Sequence, residues 1–269
     1  MIYLGTPGQM VGIKCPSTQQ VTASKPINTT LTLEGKVKAQ VAPGRPRRTW
    51  ALGLSDATRP EQHAMLQSFT DGAWGAGPFV FIPADAPVTN LLTPDQSSCD
   101  PALIGGSTTV PGGPVRLPDG WEPRSLLNTD PGALLGFGTN NVPVLQGQLV
   151  TVSAWVLGAG ARVRMIWLTA DGTHIYSQDS EISSDGVSWV RSFVTGMPPA
   201  NAAMVQIQAV NTVRATRPCA TWTDRLYPYS AGEGCQKAVV HGLSKDLIMA
   251  GPRIGQQYAN ASFTVTEVG

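Results

Sequence analysis

The fold is decided by the stretch Leu149-Val150-Thr151-Val152-Ser153-Ala154-Trp155-Val156-Leu157, an apolar run of strand-forming residues that ends at the turn Gly158-Ala159-Gly160. Four more segments of this kind follow, over Arg162 to Thr169, Val187 to Val194, Ala203 to Val210 and Ala220 to Tyr227. Turn residues such as Asp171-Gly172 and Pro198-Pro199 separate them. Regular short strands with turns between them are typical of an antiparallel sandwich, and we predict a jelly roll here.

The residues before this block predict a second group of strands. Apolar and polar residues alternate from Thr29 to Ala42, through Leu31, Leu33, Val37 and Val41, which indicates either a strand pair or one bent strand. The segment from Pro43 to Arg48 cannot continue a ladder, and Thr49 to Leu54 resumes an apolar strand. We therefore predict a hairpin with a basic tip.

One helix is predicted, over Pro60 to Thr70. Ser55, Asp56 and Thr58 are capping residues, and the apolar residues that follow Pro60 have helical spacing. A short buried strand, bracketed by Pro78 and Pro83, comes next. From Pro83 to about Pro143 the sequence is rich in Pro, Gly, Ser and Asp, and we expect loops with a few short strands.

The end of the chain returns to the first group of strands. Lys237 to Leu243 is an apolar strand and Ala261 to Val268 is an alternating one, and both need partners. We predict a discontinuous sandwich over residues 1–88 and 236–269, with residues 89–235 inserted as a jelly roll. The predicted fold class is mainly β: two sandwiches and one helix.

Composition points towards assembly. Charged residues are only 14 % of the chain, well below the roughly 25 % of ordinary globular domains. A net charge of +1 gives no general field that would attract nucleic acid. Such a surface indicates burial against other subunits; the alternative is a plain soluble β domain rich in Ser, Thr and Gln.

The cysteines and the apolar runs bear on the compartment. Cys15, Cys99, Cys219 and Cys235 form no CxxC pair and have no nearby histidine of metal-ligand spacing. Their even number would permit two disulfides, but the chain shows no signal peptide, which favours free thiols in a reducing cytoplasm. No apolar run approaches the roughly 20 residues of a membrane span, so we expect a soluble protein without membrane insertion.

No catalytic constellation is present in the sequence. The three histidines, His63, His174 and His241, are not part of a GxSxG or HExxH motif, and no glycine-rich stretch opens a helix in a phosphate-binding pattern. Carboxylates are sparse and spread out. We predict that the chain is not an enzyme and has no catalytic residue, no cofactor and no metal site.

Several segments resemble minor tail proteins of actinobacterial siphophages, over nearly the whole chain. They are Pro60 to Phe69, Gly75 to Ile82, Asn90 to Pro94, Val240 to Leu247 and Ser262 to Gly269. The middle segment, with Gly147 to Val156, Ala170-Asp171-Gly172 and Trp189, is similar to carbohydrate-binding jelly-roll modules. Where those modules usually carry paired acidic residues, this chain has only Asp224.

The resemblance implies a structural role in the virion. The discontinuous sandwich would be of the distal-tail type, which assembles into a hexameric ring at the phage tail tip. Such a ring links the tail tube to the tip and lets DNA pass without specific binding. Its partners would be the tail tube protein, the tape-measure protein and other minor tail proteins. The alternatives are a carbohydrate-binding adhesin for host-surface glycans and, third, a component of a cell-wall hydrolase.

Two groups of residues are candidate contacts. Trp121, Tyr227 and Tyr229 are loop aromatics that could stack on a glycan, whereas Trp155, Trp167 and Trp189 fall in predicted strands and are expected to pack in the core. Arg45, Arg47 and Arg48 could line the lumen of a ring or contact acidic neighbours; a solvated hairpin tip is the alternative.

Overall fold

The computed structural model describes residues 1–25, 27–31, 34–41, 45–58, 60–100, 108–138, 141–250 and 257–268. The chain is mainly β, in several antiparallel sheets, as predicted. Two helices are described, α1 (Pro60–Thr70) and α2 (Pro94–Ser97). The strands are β1 (Ile2–Thr6), β2 (Gln9–Ile13), β3 (Thr18–Ser24), β4 (Ile27–Leu31), β5 (Val37–Val41), β6 (Arg47–Thr58), β7 (Phe79–Ile82), β8 (Thr109–Pro114), β9 (Arg124–Asn128), β10 (Leu135–Gly136), β11 (Val142–Pro143), β12 (Val150–Leu157), β13 (Arg162–Leu168), β14 (His174–Asp179), β15 (Val190–Gly196), β16 (Met204–Val210), β17 (Arg214–Thr221), β18 (Cys235–Ala250) and β19 (Gln257–Glu267).

The chain divides into two compact units. The first contains Met1–Ile2, Gly12–Phe81 and Gln236–Gly269, and the second contains Tyr3–Val11 and Ile82–Cys235. Residues 3–11 and 82–88 thus group with the second unit, whereas the sequence placed them in the first domain. The aromatic ring of Tyr3 explains part of this difference, because it packs edge-on against Trp222 with 5.0 Å between the ring centroids.

The first unit is built on five strands in the order β7-β18-β19-β6-β3. Strand β19 pairs antiparallel with β18 on one side and with β6 on the other. Apolar side chains of β6 and β19 are buried, and the ring of Trp50 meets that of Phe81 at 5.1 Å. The sheet therefore joins strands from the two ends of the chain.

Helix α1 begins at Pro60 and ends at Thr70, as the sequence predicts. It buries Leu66 and Phe69, and the ring of Phe69 lies 5.0 Å from that of Phe79. The predicted capping residues Ser55, Asp56 and Thr58 lie in strand β6 instead. That strand is long because β19 pairs with it as far as Thr58.

Strands β4 and β5 form a separate two-stranded antiparallel sheet, so the alternation from Thr29 is a strand pair. Leu33 and the turn Pro43-Gly44 lie outside the described residues. Arg45 precedes β6, whereas Arg47 and Arg48 begin it.

The second unit is a β-sandwich of two five-stranded sheets. One sheet has the order β15-β12-β17-β9-β8, and the other has the order β10-β16-β13-β14 with β11 also paired to β16. Alternate residues of β12, β13 and β16 are almost fully buried and form the core; they are Val150, Val152, Ala154, Val156, Val163, Met165, Trp167, Val205, Ile207 and Ala209. The apolar run that starts at Leu149 is therefore a central strand of this sandwich.

Two local expectations for this unit are wrong, and two of its elements were not predicted. The strand expected over Ala220 to Tyr227 is β17, which ends at Thr221, and Trp189 lies just before β15 instead of within a strand. Strand β14 and helix α2 were not expected. Polar residues open β17 and fill β14, so neither has the apolar pattern by which strands are recognised.

Asn90 connects the loop between β7 and α2 to β17. It is fully buried, and its side-chain amide donates to the carbonyl oxygens of Pro218 and Ser230, at 3.3 and 3.0 Å. Its side-chain oxygen accepts from the backbone N–H groups of Leu92 and Ala220. Since both donors and the acceptor are satisfied, Asn90 fixes this loop without leaving a buried polar group unpaired.

No helix in the part of the chain that the structure describes is both long and apolar enough to cross a membrane.

The backbone at Gly234 is too close to residues 91 and 92 for any side chain. Its N–H donates to the carbonyl oxygen of Leu92 at 3.0 Å, and an added Cβ would overlap with the carbonyl group of Leu91. We expect Gly234→Ala to lower the free energy of unfolding by about 1–3 kcal/mol, the usual cost of overpacking. The measurement is denaturant unfolding followed by tryptophan fluorescence.

Gly113→Ala is the matched control, because a Cβ at Gly113 in β8 meets nothing within 4 Å. It should unfold at the same denaturant concentration as the parent chain. Equal midpoints for the two alanine variants would contradict the close approach at Gly234.

Candidate functional site

An arginine held between two aromatic rings is the centre of the candidate site. The guanidinium carbon of Arg217 lies 4.2 Å from the ring centroid of Tyr229 and 5.5 Å from that of Trp121. Its Nη1 donates to Oδ2 of Asp119 at 2.5 Å. We call Trp121, Arg217, Tyr229, Asp119 and the neighbouring Arg191 the arginine face.

A bulge in β17 places Arg217 in this position. Ser153 of β12 is opposite Cys219, but Trp155 is opposite Thr216, so β17 contains one extra residue between these pairs. Arg217 lies there with φ of 53°, a left-handed conformation that is uncommon for a residue other than glycine. It also precedes Pro218, which disfavours it further. Such strain is found where a side chain must be redirected, often at functional sites.

Helix α2 and a short turn hold the two aromatic rings. The hydroxyl of Tyr229 donates to the carbonyl oxygen of Ser97 in α2 at 2.8 Å. Burial is the main reason that the pKa of Tyr229 rises to about 12, so the hydroxyl stays protonated and keeps this bond. The backbone N–H of Trp121 donates to Oδ1 of Asp119, and the residue is 66 % exposed.

Arg191 extends from the neighbouring strand β15, opposite Trp155 of β12. Its Nη2 donates to Oγ of Ser153 at 3.3 Å, and its buried Nε has no hydrogen-bond partner among the described residues. Burial lowers the pKa of Arg191, and the charge of Arg217 lowers it further, whereas Asp119 raises it. The indole Nε1 of Trp155 is also buried without a partner in that part of the chain.

The three predicted aromatic residues do not form one site. Trp121 and Tyr229 meet through Arg217, but Tyr227 lies in a separate open depression. Arg225 stacks on Tyr227 at 5.2 Å and its Nε donates to the tyrosine hydroxyl. Other residues lining that depression are Gln148, Leu149, Met197, Trp222, Thr223 and Asp224.

Sequence reasoning missed both arginines of the face. Arg191 and Arg217 are separated by 26 positions, and only strand pairing on either side of β12 brings them near each other. Pro218, directly after Arg217, is the one signal that could have indicated an irregular strand.

The predicted hairpin with a basic tip is wrong, because β5 pairs with β4 whereas β6 pairs with β3 and β19 in another sheet. The three arginines of its expected tip have different surroundings. Arg45 and Arg48 are both half-buried and donate to the carboxylate of Glu267 in β19, whereas Arg47 is exposed. Arg48 also stacks on the ring of Trp50 at 4.8 Å. Two of the three arginines therefore join the start of β6 to the last strand.

Glu267 is a buried carboxylate, 5 % exposed. Burial alone would raise its pKa, but the hydrogen bonds from Arg45 and Arg48 outweigh that effect and lower the pKa to about 2. The charged form is therefore the one that the folded chain stabilises.

The remaining reactive groups are dispersed. The described residues contain no group of three or more His, Cys, Asp or Glu side chains that could hold a metal ion. The four cysteines are free; Cys15 is exposed and the other three are buried. Burial raises the pKa values of the Cys99 and Cys219 thiols to about 12, which makes both poor nucleophiles near neutral pH.

By its fold, the chain is a mainly β protein with a β-sandwich unit. No protein-family model matches its sequence, and no curated protein matches it. A structure of the enzymatically active domain of tailspike protein 4 from bacteriophage CBA120 aligns with 51 % of this chain and 22 % of that chain, at 12 % identity and a TM-score of 0.38.

VP2 of infectious bursal disease virus, in a subviral particle, aligns with 100 % of this chain and 67 % of that chain, at 10 % identity and a TM-score of 0.24. The T=1 particles derived from that virus give a TM-score of 0.25 and cover 65 % of that chain. These three structures are of viral proteins. At these identities and TM-scores the likeness assigns neither a family nor an activity.

The pKa of Glu267 predicts a pH dependence of stability. A carboxylate with a lowered folded pKa stabilises the fold above its unfolded pKa, near 4.5, and this contribution is lost as the pH falls towards about 2. We expect Glu267→Gln to lower the free energy of unfolding at pH 7 by about 3 kcal/mol, because two arginines lose their charged partner. Denaturant unfolding of the parent and the variant at pH 7, 4.5 and 2.5 measures this difference in the free energy of unfolding. The difference should become smaller as the pH falls.

Glu34→Gln provides the comparison, since Glu34 forms an ion pair with Lys36 in which both side chains are more than three-quarters exposed. It should change stability by less than about 1 kcal/mol at every pH. A Glu267→Gln deficit that is independent of pH would show that packing, and not the ionised carboxylate, is responsible.

Proposed function

We propose that the chain is a structural subunit of a phage virion that assembles with copies of itself at the tail tip. One observation carries this proposal: the hairpin of β4 and β5 has an exposed apolar face. Ile27, Leu31 and Val37 are 60 %, 74 % and 67 % exposed. Isolated two-stranded hairpins are marginally stable in water, so this face requires a partner.

The apolar side chains lie on a single face of the hairpin. Leu31 is directly opposite Val37, and Thr29 is opposite Ala39, so these four residues share one face. Asn28, Thr30, Lys38 and Gln40 alternate with them and occupy the other face. This hairpin is amphipathic, and within the described ranges no strand other than β4 and β5 belongs to its sheet.

A second copy of the chain is the partner that we propose. Strand β3 ends the sheet of the first unit, and among the described residues only β6 pairs with it. All seven of its residues are exposed. An exposed strand edge accepts a strand of another chain through main-chain hydrogen bonds. The hairpin and the edge lie at different places on one subunit, so the hairpin of one copy would meet the edge of the next copy in a head-to-tail contact. Repeating this contact generates a ring when the rotations between successive copies add up to a full turn.

The resemblance to minor tail proteins supplies the finer part of the proposal. A hexameric ring would join the tail tube to the tip and contact the tube and tape-measure proteins. Arg47, the exposed arginine of the three, would face DNA in the lumen or an acidic neighbour. The low charged fraction of 14 % is consistent with a surface largely covered by other subunits.

The mass of the purified full chain, measured by light scattering, tests the proposal. A hexamer would have six times the 28.4 kDa of one chain, about 170 kDa. We expect this mass, or that of another closed ring, and we expect the double variant Leu31→Lys, Val37→Lys to be monomeric. The two lysines place charge on the apolar face that the neighbouring copy covers.

The matched control is Thr30→Lys, Gln40→Lys, which adds the same charge to the opposite face of the same hairpin. It should retain the mass of the parent. A monomeric parent chain, both alone and with its tail-tube partner, would refute the assembly role. Equal disruption by both double variants would show that the apolar face is not the contact.

A further inference from the structure

The arginine face has more positive charge than its carboxylate balances. Arg217 is paired with Asp119, whose side chain is about one-third exposed. Arg191 donates a hydrogen bond of 3.3 Å to the neutral hydroxyl of Ser153, and its buried Nε has no partner in the described chain. A guanidinium has five N–H donors. Keeping a half-buried guanidinium short of hydrogen-bond acceptors costs free energy, and an anion that paired with it would offset that cost.

Strand pairing allows the two guanidinium groups to act together. Strands β15 and β17 flank β12, which places their backbones about 10 Å apart, twice the spacing of neighbouring strands. Arg191 is opposite Trp155, and Trp155 is opposite Thr216, the residue before Arg217. In keeping with this register, the charge of Arg217 lowers the pKa of Arg191 and that of Asp119 raises it.

An exposed aromatic ring lies beside these charges. The side chain of Trp121 is mostly exposed while one part of its ring contacts Arg217. A flat indole packs against the apolar face of a sugar ring and leaves the hydroxyl groups free for polar partners. On the strand between the two arginines, the indole N–H of Trp155 is also buried without a partner among the described residues.

We propose that the arginine face binds an acidic saccharide, with its carboxylate on Arg191 and its sugar ring on Trp121. The flat, forked guanidinium matches a planar carboxylate and forms two parallel hydrogen bonds with it. One carboxylate also balances the single excess positive charge of Arg191, Arg217 and Asp119. This site goes beyond the assembly role and does not depend on it, since every residue of the face belongs to the second unit.

Saturation-transfer difference NMR on the full chain tests this proposal, because it reports weak ligands on a monomer and on an assembly alike. Three probes are compared. D-glucuronate has both a carboxylate and a sugar ring, D-glucose has the ring without the charge, and acetate has the charge without the ring. We expect glucuronate to bind at least about tenfold more tightly than either of the others, because only it uses both Arg191 and Trp121. The same ranking is expected for the Leu31→Lys, Val37→Lys variant.

Three variants assign the contacts. Arg191→Gln should weaken glucuronate binding about tenfold or more and leave glucose binding unaffected. Arg191→Lys keeps the charge but loses the planar guanidinium, so its affinity for glucuronate should lie between those of the parent and of Arg191→Gln. Trp121→Ala should weaken both sugars. Arg225→Gln is the matched control, because Arg225 is an exposed arginine that also stacks on a tyrosine; it should bind as the parent does. Thermal unfolding of each variant confirms that it is folded.

Four results would overturn the proposal. They are no binding of glucuronate by the parent chain, equal binding of glucose and glucuronate, acetate binding as tight as that of glucuronate, and an equal loss of affinity in Arg225→Gln. Equal binding of glucose and glucuronate would assign a site for a neutral glycan, and tight acetate binding would assign a simple anion site. An equal loss of affinity in Arg225→Gln would indicate a diffuse effect of surface charge. Inorganic phosphate binding more tightly than glucuronate would likewise assign a phosphate site and refute the saccharide.

Discussion

Strand β19 is the element on which the first unit depends. It lies between β6 and β18, so its two ladders join the last residues of the chain to residues 47–58 and 235–250. Glu267, near its end, is held by Arg45 and Arg48, and this buried ion pair fixes the register in addition to the ladders. The polypeptide leaves this unit after Phe81 and re-enters it at Gln236.

The second unit combines a regular core with one irregular strand. Its core consists of alternating apolar residues from β12, β13 and β16, which is ordinary sandwich packing. Strand β17 departs from that regularity at Arg217, where a bulge, a left-handed backbone and a buried cation occur together. None of these three features stabilises a fold by itself. Their coincidence beside an exposed tryptophan is what distinguishes this surface from the rest of the sandwich.

The proposed assembly contact and the proposed ligand site lie in different units. The hairpin of β4 and β5 and the open edge of β3 belong to the first unit, and the arginine face belongs to the second. The apolar hairpin face is stabilised by burial against another surface, whereas the arginine face is stabilised by pairing with an anion. A substitution in one should therefore leave the other intact.

The sequence alone determined the fold class, the bounds of helix α1 and the positions of strands such as β12, β13 and β16, because these elements depend on local apolar patterns and on turn residues. It also selected Trp121 and Tyr229 as loop aromatics. It did not indicate β1, β14 or the position of β17, whose sequences are short, polar or interrupted by proline.

Only the tertiary structure decided which charges meet. Arg45 and Arg48 are paired with Glu267 across more than 200 residues, and Arg191 is brought near Arg217 by strand register. The physical reason is that register and bulges are set by partner strands, which a local pattern does not specify.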